Sequence, residues 1–569
     1  MKKPLIIFDN FTFQYDSQAE PTLCDLNLTI YEGEKIAVVG PSGSGKSTFA
    51  QCINGLIPHS FAGEIQGSVE INGKNLQKSS LFELSFEVGT VLQDPDGQFI
   101  GLTVAEDIAF SLENDCVPQT KMLEAVHKWA KVVDIDQQLN QRPQDLSGGQ
   151  KQRVSMAGVL IDEVPVLLFD EPLANLDPAS GKQAIELIDE IHRQSETTIV
   201  IIEHRLEDVL HCEVDRILVF EEGRIISDST PDELLKSDIL SDTGIREPLY
   251  ITAMKYAGID LAELQEISDI HKVAGPKLKE EMEQWLAAIP DFNVPTHHEP
   301  LLELSGLSYR YNKDRPLVLD SVSVTFHKGE MVSVVGKNGA GKSTLSKAIC
   351  GFVGLQEGSM NWLGEDFTKL SIKERADKIG YVMQNPNQMI SKTLIFDEVA
   401  LGLILRGVAP EEIEKRVHRV LKICGLYAFR SWPISALSFG QKKRVTIAAI
   451  LVLNPAMIIL DEPTAGQDFK HYTEMMNFLE TLNKQGVTVV MITHDMHLML
   501  EYTTRALVIA NGQLLADTES VDVLTNDGLI HEASLKETSL FTFAKALGMQ
   551  DPFGFTKKFI AYDREVRLP

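Results

Sequence analysis

Two long stretches of the chain repeat one pattern of apolar and polar positions. Each opens with alternating segments, residues 5–15 then 26–30 in the first and 301–311 then 322–326 in the second. Period-two alternation predicts half-buried strands. Mostly apolar runs follow, Lys35–Val39 and Met331–Val335, which read as buried strands. Each run feeds a glycine-rich loop, after which a helix is expected. Apolar positions spaced three and four apart then predict that residues 103–163 and 393–453 are mainly helical. Beyond them, residues 166–169, set off by Pro165, predict a buried strand that ends in Asp170-Glu171. An open α/β sheet places its ligands at such carboxyl ends.

The two stretches are a duplication. Tyr15 pairs with Tyr311 and Lys46 with Lys342 at an offset of 296, whereas Gln93 pairs with Gln384, Ser147 with Ser438 and Asp170 with Asp461 at 291. His204 and His494 differ by 290. Chance motifs would not hold register this long, and the period is too long for a solenoid. The expected architecture is α/β, with a first domain over 1–225, a helical linker over 226–300, a second domain over 301–530 and a tail from 531 to 569 packed on the second domain.

The linker is acidic, with 15 Asp/Glu against 6 Lys/Arg. Pro231 marks a helix start, and residues 278–288 read as an amphipathic helix with Trp285 packing it onto a neighbour. Pro290, Pro295 and Pro300 mark an extended run, and His297-His298 reads as a solvated loop rather than a metal pair. In the tail, Phe541, Phe543, Phe553 and Phe555 are too many aromatics for free disorder.

Composition narrows the function. The 569 residues are 44% hydrophobic and 24% charged, with a formal net charge of −28. That balance argues against nucleic acid or an anionic membrane held by bulk charge. No stretch approaches the roughly 18 apolar residues of a spanning helix. The opening MKKPLIIFDN carries too short an apolar run for a signal peptide, so a cytosolic chain is expected. The six cysteines are scattered without a C-x-x-C pair, and buried free thiols are the expected reading.

The glycine-rich loops have the spacing that cradles phosphates. In GPSGSGKST, Gly40, Ser42, Gly43 and Gly45 bare backbone N–H groups, Lys46 reaches the β- and γ-oxygens, and Ser47 and Thr48 follow, with the Ser47 hydroxyl suited to Mg²⁺. GKNGAGKST repeats this with Gly336, Asn338, Gly339, Gly341, Lys342, Ser343 and Thr344. Ser147-Gly148-Gly149-Gln150 opens a helix, whose N-terminus favours an anion.

LSGGQ in register behind a phosphate loop, then a strand ending in Asp-Glu, then Leu-Asp, then a strand ending in histidine, resembles the ATP-binding cassette (ABC) ATPases. The resemblance implies two P-loop NTPase domains, each with a RecA-like core, an antiparallel β subdomain and a helical subdomain, and ATP with Mg²⁺ as ligands. It implies Asp170 and Asp461 as Mg²⁺ holders, Glu171 and Glu462 as bases for the attacking water, and His204 and His494 as γ-phosphate partners. By the same resemblance Gln93 and Gln384 touch Mg²⁺ or water and relay to a membrane partner, and Tyr15 and Tyr311 stack on adenine. Ser147, Gly148, Gly149 and Gln150 should close on ATP held by the second half. Ser438, Phe439, Gly440 and Gln441 should close on ATP held by the first, with Asp177 and Asp468 between. Phe439 departs from the LSGGQ pattern, which puts equal turnover at the two sites in doubt.

After Gln93, DPDGQFIGLTVAEDIAFSLEN resembles the energy-coupling factor (ECF) vitamin-importer ATPases. That implies docking by Asp96 and Gln98 on an integral-membrane coupling protein, a separate substrate-binding membrane protein, and a peripheral place on the cytoplasmic membrane face. The second half reads NPNQMISKTLIFDEVALGL, with Asn387 in place of the aspartate, so equal docking by the two halves is not expected. Tandem ribosome-bound translation factors are disfavoured by the acidic linker. Tandem sugar-importer ATPases usually carry a more diverged second cassette. A DNA-repair ATPase would want zinc cysteines or a long coiled coil.

Overall fold

The structure, a computed structural model, describes residues 2–93, 97–174, 176–273, 275–290, 299–465 and 467–567. Two compact units emerge, one of residues up to Met282 with Lys545–Gly548, the other of Glu283–Ala544 with residues from Met549 on.

In the first unit a six-stranded sheet runs, in spatial order, Arg224–Ser229, Arg216–Glu221, Lys35–Val39, Thr198–Ile202, Val166–Asp170 and Val88–Val91. All neighbours are parallel except the outermost Arg224–Ser229 pair. Lys35–Val39 and Thr198–Ile202 are buried along their whole length, which is why each is apolar after its first residue. A four-stranded antiparallel sheet, Leu23–Tyr31, Pro4–Tyr15, Gly63–Ile71 and Lys74–Asn75, shares its core through Phe8, Phe49 and Phe220. The second unit repeats both sheets in the same order, around Met331–Val335 and Pro300–Tyr309. Its helical part, Ile395–Leu405, Pro410–Ile423 and Phe439–Leu451, has an apolar core of its own.

The stretch expected as a linker is mostly built into the first unit. Arg224–Ser229 crosses the boundary at 225 to complete the sheet. The helix Leu249–Tyr256 is anchored there too: Leu249 N–H donates to Glu207 at 3.1 Å, and the Tyr250 hydroxyl donates to the Ile267 carbonyl at 2.7 Å. Helix Pro276–Ala288 carries Trp285, which packs edge-on against Tyr562 at 5.5 Å. Tyr562 lies on the tail helix Pro552–Arg567, whose Arg564 donates to the carbonyls of Leu500, Glu501 and Thr503 and so caps helix Met496–Tyr502. Phe543 and Phe555 are buried. Asp96, Pro295 and His297-His298 lie outside the described residues.

Candidate functional site

Each phosphate loop joins a buried strand to a helix that starts at its lysine, Lys46–Ile53 and Lys342–Cys350. The N-caps, Gly45 and Gly341, have φ of 104° and 107° and provide no side-chain cap. First-turn N–H groups are therefore left for an anion, together with the positive end of the helix dipole. Close approach requires glycine: a Cβ on Gly40 would sit 2.4 Å from the Phe220 carbonyl oxygen, and one on Gly336 1.9 Å from that of Ile509. Lys46 Nζ donates to the carbonyls of Gly40 and Pro41 at 2.8 and 2.9 Å, and Lys342 repeats this with Gly336 and Lys337. The Ser44 hydroxyl is buried with no hydrogen-bond partner among the described residues. A cradle of uncapped N–H groups, an orphaned hydroxyl and a buried ammonium fits a nucleotide's phosphates.

In the first unit Val166–Asp170 delivers Asp170 and Glu171 to the sheet's carboxyl edge. Glu171 accepts from Gln93 Nε2 at 2.6 Å and lies 2.9 Å from His204 Nε2, so three of the expected residues meet at one carboxylate. Burial first, then the Glu171 charge, pushes the Asp170 carboxyl up to about 6, against the pull of Lys46 and His204. Burial also raises Glu171, but the His204 hydrogen bond and charge, with Lys46 and Arg205, outweigh it and hold the carboxyl below its ordinary value. Crowded carboxylates of this kind suit a divalent cation, whose charge would ease both.

The second unit arranges the same residue types differently. His494 Nδ1 lies 2.8 Å from Glu462, and Thr493 Oγ1 donates to the other carboxylate oxygen at 3.4 Å. Asp461 accepts from the Tyr381 hydroxyl at 3.0 Å and from Ser343, bringing two candidate metal holders together. Burial and Glu462 raise the Asp461 carboxyl, and those two hydrogen bonds oppose them. The Gln384 side chain is exposed and, among the described residues, makes no hydrogen bond to Glu462, unlike Gln93. In the first unit Ser47 is exposed.

The remaining expected residues are placed as follows. Ser147 with Gln150, and Ser438 with Gln441, form capping boxes that start helices Gly148–Leu160 and Phe439–Leu451. Gly149 and Gly440 lie in their first turns, and Phe439 is 42% exposed, so it fills no core. Asp177 and Asp468 cap helices Pro178–Ser195 and Phe469–Lys484. The Tyr15 hydroxyl bonds Thr48 at 3.1 Å and Gln51 at 2.8 Å, and that of Tyr311 bonds Thr344 at 3.2 Å. Both rings are thus tied to the helix after the phosphate loop, and Tyr311 is 54% exposed beyond the end of strand Pro300–Tyr309.

Gln98, expected to dock on a membrane partner, is half-buried and bonds its own strand end. Its amide donates to the Thr90 carbonyl and accepts from Leu92 N–H, both at 3.2 Å. It folds the loop back onto its own strand because two backbone groups at that strand end lack ladder partners. In the second half the Met389 sulfur accepts from Met383 N–H at 3.2 Å in the same way, so Met389, not Gln388, is the counterpart of Gln98.

Sequence reasoning passed over Lys443, Glu203, Thr493, Gln152 and Tyr381. The signal was available: in register, Gln152 aligns with Lys443 and Glu203 with Thr493, so the repeats disagree in charge beside their best-matched motifs.

Comparison with known proteins identifies the family. The ABC transporter family profile matches residues 23–174 and 319–465, and one described as ATP-binding cassette cobalt transporter matches 237–309. An ABC transporter ATP-binding protein of Enterococcus faecalis is 66% identical over 568 residues, 100% of both chains. Counterparts from Clostridium perfringens and Lactiplantibacillus plantarum are 56% and 54% identical, each over 100% of both chains. Among solved structures, cbiO1 of Clostridium perfringens, part of the ABC transporter complex cbiONQ, is 30% identical with a TM-score of 0.38, covering 41% of this chain and 94% of that one. With two phosphate-cradling cassettes and relatives matched end to end, the chain belongs to the ABC transporter ATP-binding family and is an ATPase coupled to transport.

Proposed function

We propose that this chain is the energy-coupling ATPase of an ECF-type importer, taking up a vitamin or similar micronutrient through separate membrane subunits. The observation that carries the reading is the match of residues 237–309 to an ATP-binding cassette cobalt transporter segment, lying between two cassettes that each retain the aspartate, glutamate and histidine. No described helix is long and apolar enough to cross a membrane, which accords with a peripheral subunit working on membrane partners.

In this reading Lys46 and Lys342 bind the phosphates from within their loops. Asp170 with Ser47 and Gln93, and Asp461 with Ser343 and Gln384, hold Mg²⁺. When bound, the ion neutralises charge on the phosphate oxygens. Glu171 and Glu462 accept a proton from the attacking water, each with its histidine fixing one carboxylate oxygen. The signature helices close on nucleotide as the two cassettes pair. Hydrolysis then reopens the pair and resets the membrane partner.

The test is to recover the tagged chain from detergent-solubilised native membranes and identify what comes with it. A small integral-membrane coupling protein and a substrate-binding membrane protein are expected. Ribosomal proteins without a membrane subunit would overturn the importer reading in favour of a translation factor. Two large permease subunits would favour a sugar importer.

A further inference from the structure

Glu171 and Glu462 have φ of 49° and 48°, in the left-handed region that a side-chain-bearing residue adopts only under strain. Such a turn persists only where its surroundings hold it. Both glutamates receive one shared restraint, donation of their N–H to the carbonyl of Ile202 or Ile492 at 2.9 Å. Beyond that, the two halves diverge.

In the first unit the fixing group is an acceptor, a buried carboxyl. Glu203 is buried, and its two oxygens accept from Leu173 N–H at 2.8 Å and His204 N–H at 3.1 Å. It therefore grips the N–H groups on both sides of the Glu171–His204 pair. From the signature helix, Gln152 donates to the Pro172 carbonyl. In the second unit the fixing group is a cation on that helix. Lys443 is 1% exposed, and its ammonium donates to the carbonyls of Gln384 at 2.7 Å, Met383 and Glu462 at 3.1 Å and Asp461 at 3.3 Å. The Glu203 position there is Thr493, which is neutral.

We infer that Glu203 and Lys443 are positioning residues for the water-activating glutamates, one pin an acceptor and the other a donor, that fix the same strained turn, one by its N–H groups and the other by its carbonyls. The inference rests on Glu171 and Glu462 being the bases. The second pin also ties the Gln384 loop to the signature helix, which the first does not. The two ATP sites are consequently inequivalent in construction, independently of Phe439.

The pins should be interchangeable, and that is the test. In the full-length chain, Lys443→Gln should lower kcat for ATP by about 10- to 100-fold with KM within about twofold, because misplacement by an ångström can cost about 100-fold. Adding Thr493→Glu, which installs the other pin, should restore most of the loss. A merely structural lysine predicts the reverse, since the double variant buries an unmatched carboxylate and should be worse. Unchanged kcat in Lys443→Gln, or no recovery in the double variant, overturns the proposal. If Lys443→Gln does not fold, the converse pair decides: Glu203→Thr should lose turnover and regain it with Gln152→Lys. Glu462→Gln is run alongside; wild-type turnover there would strike the base assignment and not the pins.

Discussion

The Glu171 carboxylate is shared between Gln93 and His204, and that sharing sets what its loss should do. A glutamine keeps the shape and one acceptor oxygen but cannot take a proton. Glu171→Gln combined with Glu462→Gln should therefore retain ATP while phosphate release falls by roughly 10²–10⁴, the usual contribution of a general base. Bound nucleotide and phosphate are measured on one sample; full turnover would remove both glutamates from the chemistry. At this scale much was legible beforehand. Lys46 sits in a loop whose spacing follows from phosphate geometry, Asp170, Glu171 and His204 were expected from the family resemblance, and the fold sets all four near one another. Gln98 was not legible, because its partners are backbone groups of its own strand, and nothing in residue type says that a loop glutamine turns inward. Lys443 was hidden inside a motif read for its neighbours.

Among elements, one junction recurs. Arg505, on strand Arg505–Ala510, forks to Asp517 on the next strand, to Glu330, and to the Thr325 carbonyl of the antiparallel sheet. Arg216 does the same with Asp228, Glu34 and the Thr29 carbonyl. A single guanidinium thus joins the two sheets of each unit, a task for which its planar fork suits it better than a lysine. Arg505→Ala leaves Glu330 buried without its partner. It should cost about 2–3 kcal/mol, below the range for a fully buried pair because a fifth of the arginine side chain stays exposed. Urea unfolding checks this, and a cost under about 0.5 kcal/mol, typical of an exposed pair, would mean the junction holds nothing. The sequence could not reveal this clamp, whose partners lie up to 180 residues apart. It did reveal the strands themselves, since burial on both faces leaves residues 36–39 no polar position. The linker was misjudged for the complementary reason: acidic composition describes its outer face, whereas Leu249, Tyr250, Ile251 and Met254 pack inward.

For the molecule as a whole, net charge of −28 makes broad electrostatic attachment to an anionic membrane unfavourable, which directs attention to local surface, apolar surface included. The loops after Gln93 and Gln384 offer unequal amounts of it. Each is anchored alike: Asp107 accepts from Ile100 and Gly101 N–H, and Glu398 from Ser391 and Lys392 N–H. These matched anchors align Leu102 with Thr393. In the first half Ile100 and Leu102 are 64% and 79% exposed, a large outlay of apolar surface beside the site. In the second half Ser391 and Thr393 occupy those places. If the coupling protein seats on these loops, the first half supplies most of the apolar contact, and burying one leucine is worth about 1.5–3 kcal/mol, or roughly 10- to 100-fold in affinity. Leu102→Glu should therefore strip the coupling protein from the membrane pull-down, whereas Thr393→Glu should retain most of it, with both variants unfolding at the wild-type midpoint. Equal losses would mean symmetric docking and would break the link between loop composition and partner contact. Retention in both would place the contact elsewhere on the chain.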